Sequence, residues 1–198
     1  MAYSDFTLPK LKKQFGLTLS EDVDLYAHVS PVSPDPPFLT RLAQNGRMAK
    51  RIGTEKARSE WMIAPVLSEA RLIAEENFGL FSGVDFSVDA AQGLIGVCDF
   101  IVTRSPEQLF VQVPVLMLVE AKNEDMKRGY AQCAAEMIAA RHFNTEAEDG
   151  PTQIYGVVTT GDRWQFLVLE DSTLHIDLME YPIEQVGKIL GILLHLVN

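Results

Sequence analysis

The residues whose types and spacing could do chemistry are Asp99, Glu120 and Lys122. Asp99 interrupts the apolar run Leu94-Ile95-Gly96-Val97-Cys98-Asp99-Phe100-Ile101-Val102, and Glu120 and Lys122 close the run Val113-Pro114-Val115-Leu116-Met117-Leu118-Val119-Glu120-Ala121-Lys122. Both runs are short, rich in β-branched residues and bounded by turn formers, so they read as neighbouring strands buried in one sheet. A lone carboxylate in such a strand costs on the order of several kcal/mol unless something positive answers it, and a metal ion or Lys122 could be that partner. Side chains alternate along a strand, so Glu120 and Lys122 share one face, Ala121 points to the other, and the Ala121 carbonyl lies between them. One carboxylate from each strand can then converge on one point. With the carbonyl they make a hard, anionic oxygen site suited to Mg²⁺ or Mn²⁺, which keep waters in their remaining positions.

Other chemistries lack their motifs. The four histidines, at 28, 142, 175 and 195, are scattered, and none has a metal-ligand partner at helical spacing. The sequence has no Gly-x-x-x-x-Gly-Lys loop to cradle phosphates, no dinucleotide fingerprint and no Gly-x-Ser-x-Gly elbow.

The elements that must position the three residues follow from the pattern. Residues 7–15 read as a short basic helix ended by Gly16, and the prolines at 31, 34, 36 and 37 make residues 30–37 an irregular connector. Thr54 caps a helix over residues 54–77 with an apolar stripe at Ile63, Val66, Leu67, Ala70 and Ile73, which Pro65 should kink or break near its first turn. Residues 81–90 form a first strand, and Ala91-Gln92-Gly93 turns into the strand that holds Asp99, giving an antiparallel meander of three. Asn123 caps an alanine-rich helix reaching Phe143, whose small residues allow close approach to a sheet and carry Gln132 towards the site. After an acidic loop at residues 144–150, strands at 155–160, 164–169 and 174–181 precede a closing helix over 183–197. The fold class is therefore α/β (α+β), a central mixed sheet flanked by helices with a helical or irregular extension at residues 1–53 that packs on the core of a single domain. Trp164 and Phe166 alternate on one strand face and are expected to be packing residues.

An Asp in an apolar strand, a hairpin, Glu-x-Lys ending the next strand, Gln132 on the following helix, and the later run Ile154-Tyr155-Gly156-Val157-Val158-Thr159-Thr160-Gly161-Asp162-Arg163-Trp164-Gln165-Phe166 stand in that order. Together they resemble the PD-(D/E)xK nuclease superfamily, which has the restriction-endonuclease-like fold, over residues 60–171. The resemblance implies a metal-dependent nuclease domain at residues 54–198 acting on nucleic acid, DNA being the expected substrate. It implies that Asp99 and Glu120 hold Mg²⁺ or Mn²⁺, that Ala121 gives its carbonyl, and that Lys122 orients or activates the water. Gln132 and Glu60 complete the surroundings of the ion, although an exposed Glu in a first helical turn and a polar Gln on a helix surface are the ordinary fates of such residues. Glu136 departs from the pattern, since some branches carry a tyrosine four positions after the glutamine. The rival reading is a catalytically silent nuclease-fold module that binds nucleic acid or protein.

Composition sets the frame. With 198 residues, 47% of them hydrophobic and 22% charged, the chain fits one globular domain with a substantial core. The formal charge of -10 opposes a general nucleic-acid coat, so phosphate contacts are expected only locally, at Lys127 and Arg128 beside the Glu-x-Lys element and at Arg58 in the earlier basic cluster. No apolar run approaches the roughly 18 to 20 residues that span a bilayer and the amino terminus lacks a signal-peptide apolar region, so a cytoplasmic address without membrane contact is expected. Cys98 and Cys133 sit in apolar contexts typical of reduced, buried thiols. A homodimer, or a partner protein that supplies target recognition, fits a chain that names no target sequence by itself.

Overall fold

A computed structural model describes residues 1–146 and 150–198. Its strands are β1 (Thr18–Ser20), β2 (Gly79–Asp85), β3 (Val97–Thr103), β4 (Val115–Ala121), β5 (Gln153–Thr159), β6 (Arg163–Glu170) and β7 (Thr173–Pro182). They form one seven-stranded mixed sheet in the order β1-β7-β6-β5-β4-β3-β2. Strands β2 to β4 are the expected antiparallel meander, β4 and β5 run parallel, and β5 to β7 form a second meander with β1 parallel on its outer edge. The helices are α1 (Leu8–Phe15), α2 (Pro36–Ile52), α3 (Glu55–Arg58), α4 (Ala64–Ile73), α5 (Met126–Phe143) and α6 (Val186–Val197). The class is α/β, a sheet flanked by helices.

Both faces of the sheet are covered, which is why β4 reads as one continuous apolar run: it is buried at every position. On one face Ile101, Leu118, Val158 and Leu167 pack under α5 through Cys133, Ala134, Met137 and Ile138. On the other face Phe100, Met117, Val157, Trp164 and Phe166 meet Val66 and Leu67 of α4 and Ile189 and Leu193 of α6. Trp164 and Phe166 are 0% exposed, so their rings pack the core as their alternation predicts. Cys98 and Cys133 are buried thiols outside any disulfide.

The first 53 residues depart most from expectation. Helix α1 ends at Gly16 in the left-handed conformation as expected, but α2 and β1 have no counterpart in the sequence reading. The prolines at 36 and 37 read as helix breakers, yet they occupy the first turn of α2, where no intrahelical N–H is needed. The segment enters both cores, through Tyr3, Phe6, Leu11 and Leu17 on one face and Tyr26, Phe38 and Leu42 on the other.

The expected helix over residues 54–77 is in three pieces. Thr54 accepts from Ala57 N at 3.1 Å and starts α3, a π-helical turn at Ser59–Ile63 follows, and α4 then begins with Pro65 in its first turn. Proline at 65 has no N–H to give and its ring would crowd the carbonyl four residues back, so the chain widens just before it. Elsewhere boundaries shift. Strand β2 stops at Asp85, with bonds from Phe86 N to Gly96 O at 2.8 Å and from Val88 N to Leu94 O at 2.9 Å continuing the pairing irregularly beyond it. The cap of α5 is Asp125, which accepts from Arg128 N at 3.1 Å, not Asn123. The expected acidic loop at residues 144–150 opens with a single 3-10 turn, Asn144–Glu146, and residues 147–149 lie outside the described residues.

Helix α5 lies so close to β5 that a Cβ at Gly156 would stand 2.5 Å from Met137 Sδ and 2.9 Å from Cys133 Sγ. Replacing Gly156 by Ala overpacks this contact and should lower stability by about 1–3 kcal/mol. Urea denaturation of the variant beside the parent measures it, and an unchanged midpoint would place the helix further from the sheet.

Candidate active site

Asp99 sits where the sheet opens. Its register partner on β2 is Gly83, which takes a left-handed φ of 63° and drops out of a ladder that pairs Ser82 with Phe100 and Val84 with Cys98. On the other side the pairing of β3 with β4 ends at Phe100 and Val119. Past that point Asp99 Oδ2 accepts from Ala121 N at 2.8 Å, so a carboxylate does the work of a ladder carbonyl. Burial pushes the Asp99 carboxyl up, against the Ala121 N–H and the Lys122 charge. Asp99 and Ala121 line a cavity of about 250 Å³ whose opposite wall is Glu55 and Lys56 of α3 and Ser59 and Glu60 of the π turn.

The neighbouring strand carries Glu120 and Lys122 under α5. Glu120 is 1% exposed, and the Lys122 ammonium donates to its Oε1 and, at 3.2 Å, to Gln132 Oε1. Gln132 Nε2 donates in turn to Glu136 Oε1 at 3.2 Å. The other oxygens of the two acids, Glu120 Oε2 and Glu136 Oε2, are buried and have no donor among the described residues. The two acids titrate together: sharing a proton carried by Glu136 would favour a charged Glu120 and a neutral Glu136. Burial, helped by the Asp99 charge and opposed by Lys122, pushes Glu120 up to about 7. Burial and then the Glu120 charge hold Glu136 well above the ordinary carboxylate range. For Lys122 burial works against the ammonium, but the Glu120 carboxylate outweighs it and the net shift is upward. Helix α5 can descend onto this group because position 129 is glycine: a Cβ there would lie 2.5 Å from Val158 Cγ1 and 3.1 Å from Lys122 Cγ.

Of the residues singled out from the sequence, Glu120, Lys122 and Gln132 are bonded together, and Asp99 acts on Glu120 and Lys122 through its charge. Ala121 ties Asp99 to β4 through its N–H, and its side chain is in the core of the opposite face. Glu60 is on the cavity wall, where it pairs with Lys56 at 2.7 Å and makes no bond to Asp99 or Glu120. Arg58 turns inward at 15% side-chain exposure, donating to Thr160 O at 2.9 Å, to Asp162 Oδ2 at 2.5 Å and to Asn123 Oδ1 at 3.1 Å. Lys50 joins it at Asp162, 2.5 Å away, so this basic cluster braces the structure. Burial raises Asp162, but its bonds to Lys50 and Arg58 outweigh that and bring it below the usual carboxylate range. Lys127 and Arg128 are exposed on the first turn of α5 and form no ion pair among the described residues.

Glu136 is the member of the group that sequence reasoning noticed only as the absence of a tyrosine. Its signal was an acid within a run of alanines, at 131, 134, 135, 139 and 140, on a helix buried along most of its length. Among the described residues no three His, Cys, Asp or Glu form a ready-made metal cluster. Comparison with protein-family models, with curated proteins and with solved structures found no match.

The raised acids fix the sign of a pH effect. Glu120 holds its proton more tightly folded than unfolded, so its contribution is full below roughly pH 4.3, the ordinary Glu value, and is lost as pH rises through about 7. The unfolding free energy from urea titrations in chelator should therefore fall with rising pH across this window more steeply for the parent than for Glu120→Gln, by about 1 kcal/mol or more. Parallel profiles would show that Glu120 titrates normally.

Proposed function

We propose that the chain is a metal-dependent nuclease that hydrolyses phosphodiester bonds of nucleic acid, DNA being the expected substrate. The observation that carries this reading is the Lys122 ammonium, held between Glu120 of its own strand and Gln132 of α5, next to Asp99 at the point where β3 and β4 part.

The donor set fits a hard divalent cation. Glu120 has a buried oxygen without a donor among the described residues, and Asp99 spends Oδ2 alone on Ala121. Mg²⁺ needs only one or two carboxylates and retains water for its other positions, so the lack of a third acid is no obstacle. In this reading Asp99 and Glu120 hold the ion with the Ala121 carbonyl, and Glu60 approaches from the wall of the same cavity. Such an ion lowers the pKa of bound water and neutralises charge on a phosphate. Lys122 keeps its proton, because its carboxylate neighbour raises its pKa. It therefore acts as a fixed positive charge that orients water and answers the charge developing on the phosphate. Gln132 removes the freedom of that ammonium to swing away. Lys127 and Arg128, exposed on the same helix as Gln132, are placed to meet the backbone of a nucleic acid, and their contribution is screened by salt.

The test is purified protein with single- and double-stranded DNA and RNA in Mg²⁺ or Mn²⁺, with chelator as control. Lys122→Ala should lower cleavage by roughly a hundredfold or more, the scale for losing one transition-state group, and leave metal binding intact or tighter, since Glu120 loses a competing cation. Asp99→Asn should lose both. Equal cleavage by Lys122→Ala and the parent would place the activity elsewhere. A parent that cuts nothing yet binds nucleic acid or a protein would favour the silent module.

A further inference from the structure

We infer that Glu136 is a positioning residue of this site: it holds the Gln132 amide in the one orientation that lets it grip Lys122. The inference rests on the nuclease reading for its effect on turnover and on geometry alone for its effect on the amide.

A glutamine amide has an acceptor end and a donor end, whereas a lysine ammonium only donates. Gln132 can bind Lys122 only through Oε1, and its NH₂ group then points to the other side. Glu136 Oε1 receives it there, 3.2 Å away and one helical turn further along α5. Without that acceptor the half-buried NH₂ would lose its protein partner, and the amide would be free to rotate towards any remaining acceptor. The rotation would present NH₂ to the ammonium and release it. Glu136 makes no hydrogen bond to Lys122 and does not line the cavity beside Asp99; it reaches the site through its bond to Gln132 and through its electrostatic coupling to Glu120, and the Gln132 amide reads the first of these by itself.

Packing gives no other reason for the residue. Glu136 is fully buried among alanines, one of its oxygens lacks a donor, and no positive side chain pairs with it among the described residues. An apolar residue of like volume would fill the space without that cost. An acid here is instead the fourth member of a run of hydrogen bonds, Glu120 to Lys122 to Gln132 to Glu136, that joins β4 to α5.

Two variants separate positioning from packing. Glu136→Gln keeps an acceptor oxygen and the size and removes the buried carboxyl, so it should equal or exceed the parent in thermal stability. Glu136→Leu keeps only the size and leaves the Gln132 NH₂ without its acceptor, so it should fall below Glu136→Gln. The side-chain amide protons of Gln132, assigned by ¹⁵N NMR from their loss in Gln132→Met, should exchange slowly in the parent and in Glu136→Gln and markedly faster in Glu136→Leu. On any nucleic acid that the parent cleaves, Glu136→Leu should lower kcat by about tenfold with KM nearly unchanged, and Glu136→Gln should restore most of it. Unchanged Gln132 exchange in Glu136→Leu overturns the inference, as does parental kcat in that variant. If the parent cleaves nothing, the amide exchange decides the inference by itself and only the nuclease reading falls.

Discussion

A carboxylate has been placed in a strand that is buried at all of its positions, and the surrounding structure is what such a placement demands. Glu120 is 1% exposed, on an interior strand of the sheet between β5 and β3, with a helix over it. Left alone it would give up its charge or open the fold. Lys122, two residues on and on the same face, answers it, but a flexible ammonium that is itself half desolvated needs further oxygen to stay in place. Gln132 supplies that oxygen, and helix α5 must come down to the sheet for Gln132 to reach. The glycines at 129 and 156 permit the descent, one against Lys122 and Val158 and the other against Cys133 and Met137. The polar group and the small residues around it are thus two sides of one requirement.

The opposite wall of the cavity depends on the amino-terminal segment. Helix α2 delivers Lys50 to Asp162, where Arg58 of α3 also ends, and Arg58 reaches on to Thr160 and Asn123. That cluster fastens α2, α3, the turn between β5 and β6 and the approach to α5 to one another. The bonds to Lys50 and Arg58 hold Asp162 below the usual carboxylate range, so this brace weakens as pH falls, whereas the Glu120 contribution is lost as pH rises through about 7. The two clusters pull the stability profile in opposite directions.

The strands around the site were legible because each is a short apolar run with a period or a punctuation of its own, and Glu120 and Lys122 fall on one face by alternation alone. Gln132 was legible only through its place after Glu-x-Lys. Arg58 was misleading for a physical reason: sequence shows a basic residue in a basic neighbourhood, but its partners Asp162, Thr160 and Asn123 are 65 to 104 positions away. Helix α2 was hidden because proline has opposite meanings inside a helix and at its first turn, and only the three-dimensional context chooses between them. Strand β1 has three residues, too few for any period to register.

The π turn at Ser59–Ile63 has a consequence for chain length. A π turn is an α-helix with one residue too many wound into a single turn. Deleting one residue there would let α3 run into α4 as a single α-helix, and every residue before the deletion would rotate by about 100° about the axis. Ser59, Glu55 and Lys56 would leave the cavity wall, and Arg58 would swing away from Asp162. The surplus residue works as a phase-setter, locking two short helices of one stripe into two different azimuths, one for the core and one for the cavity.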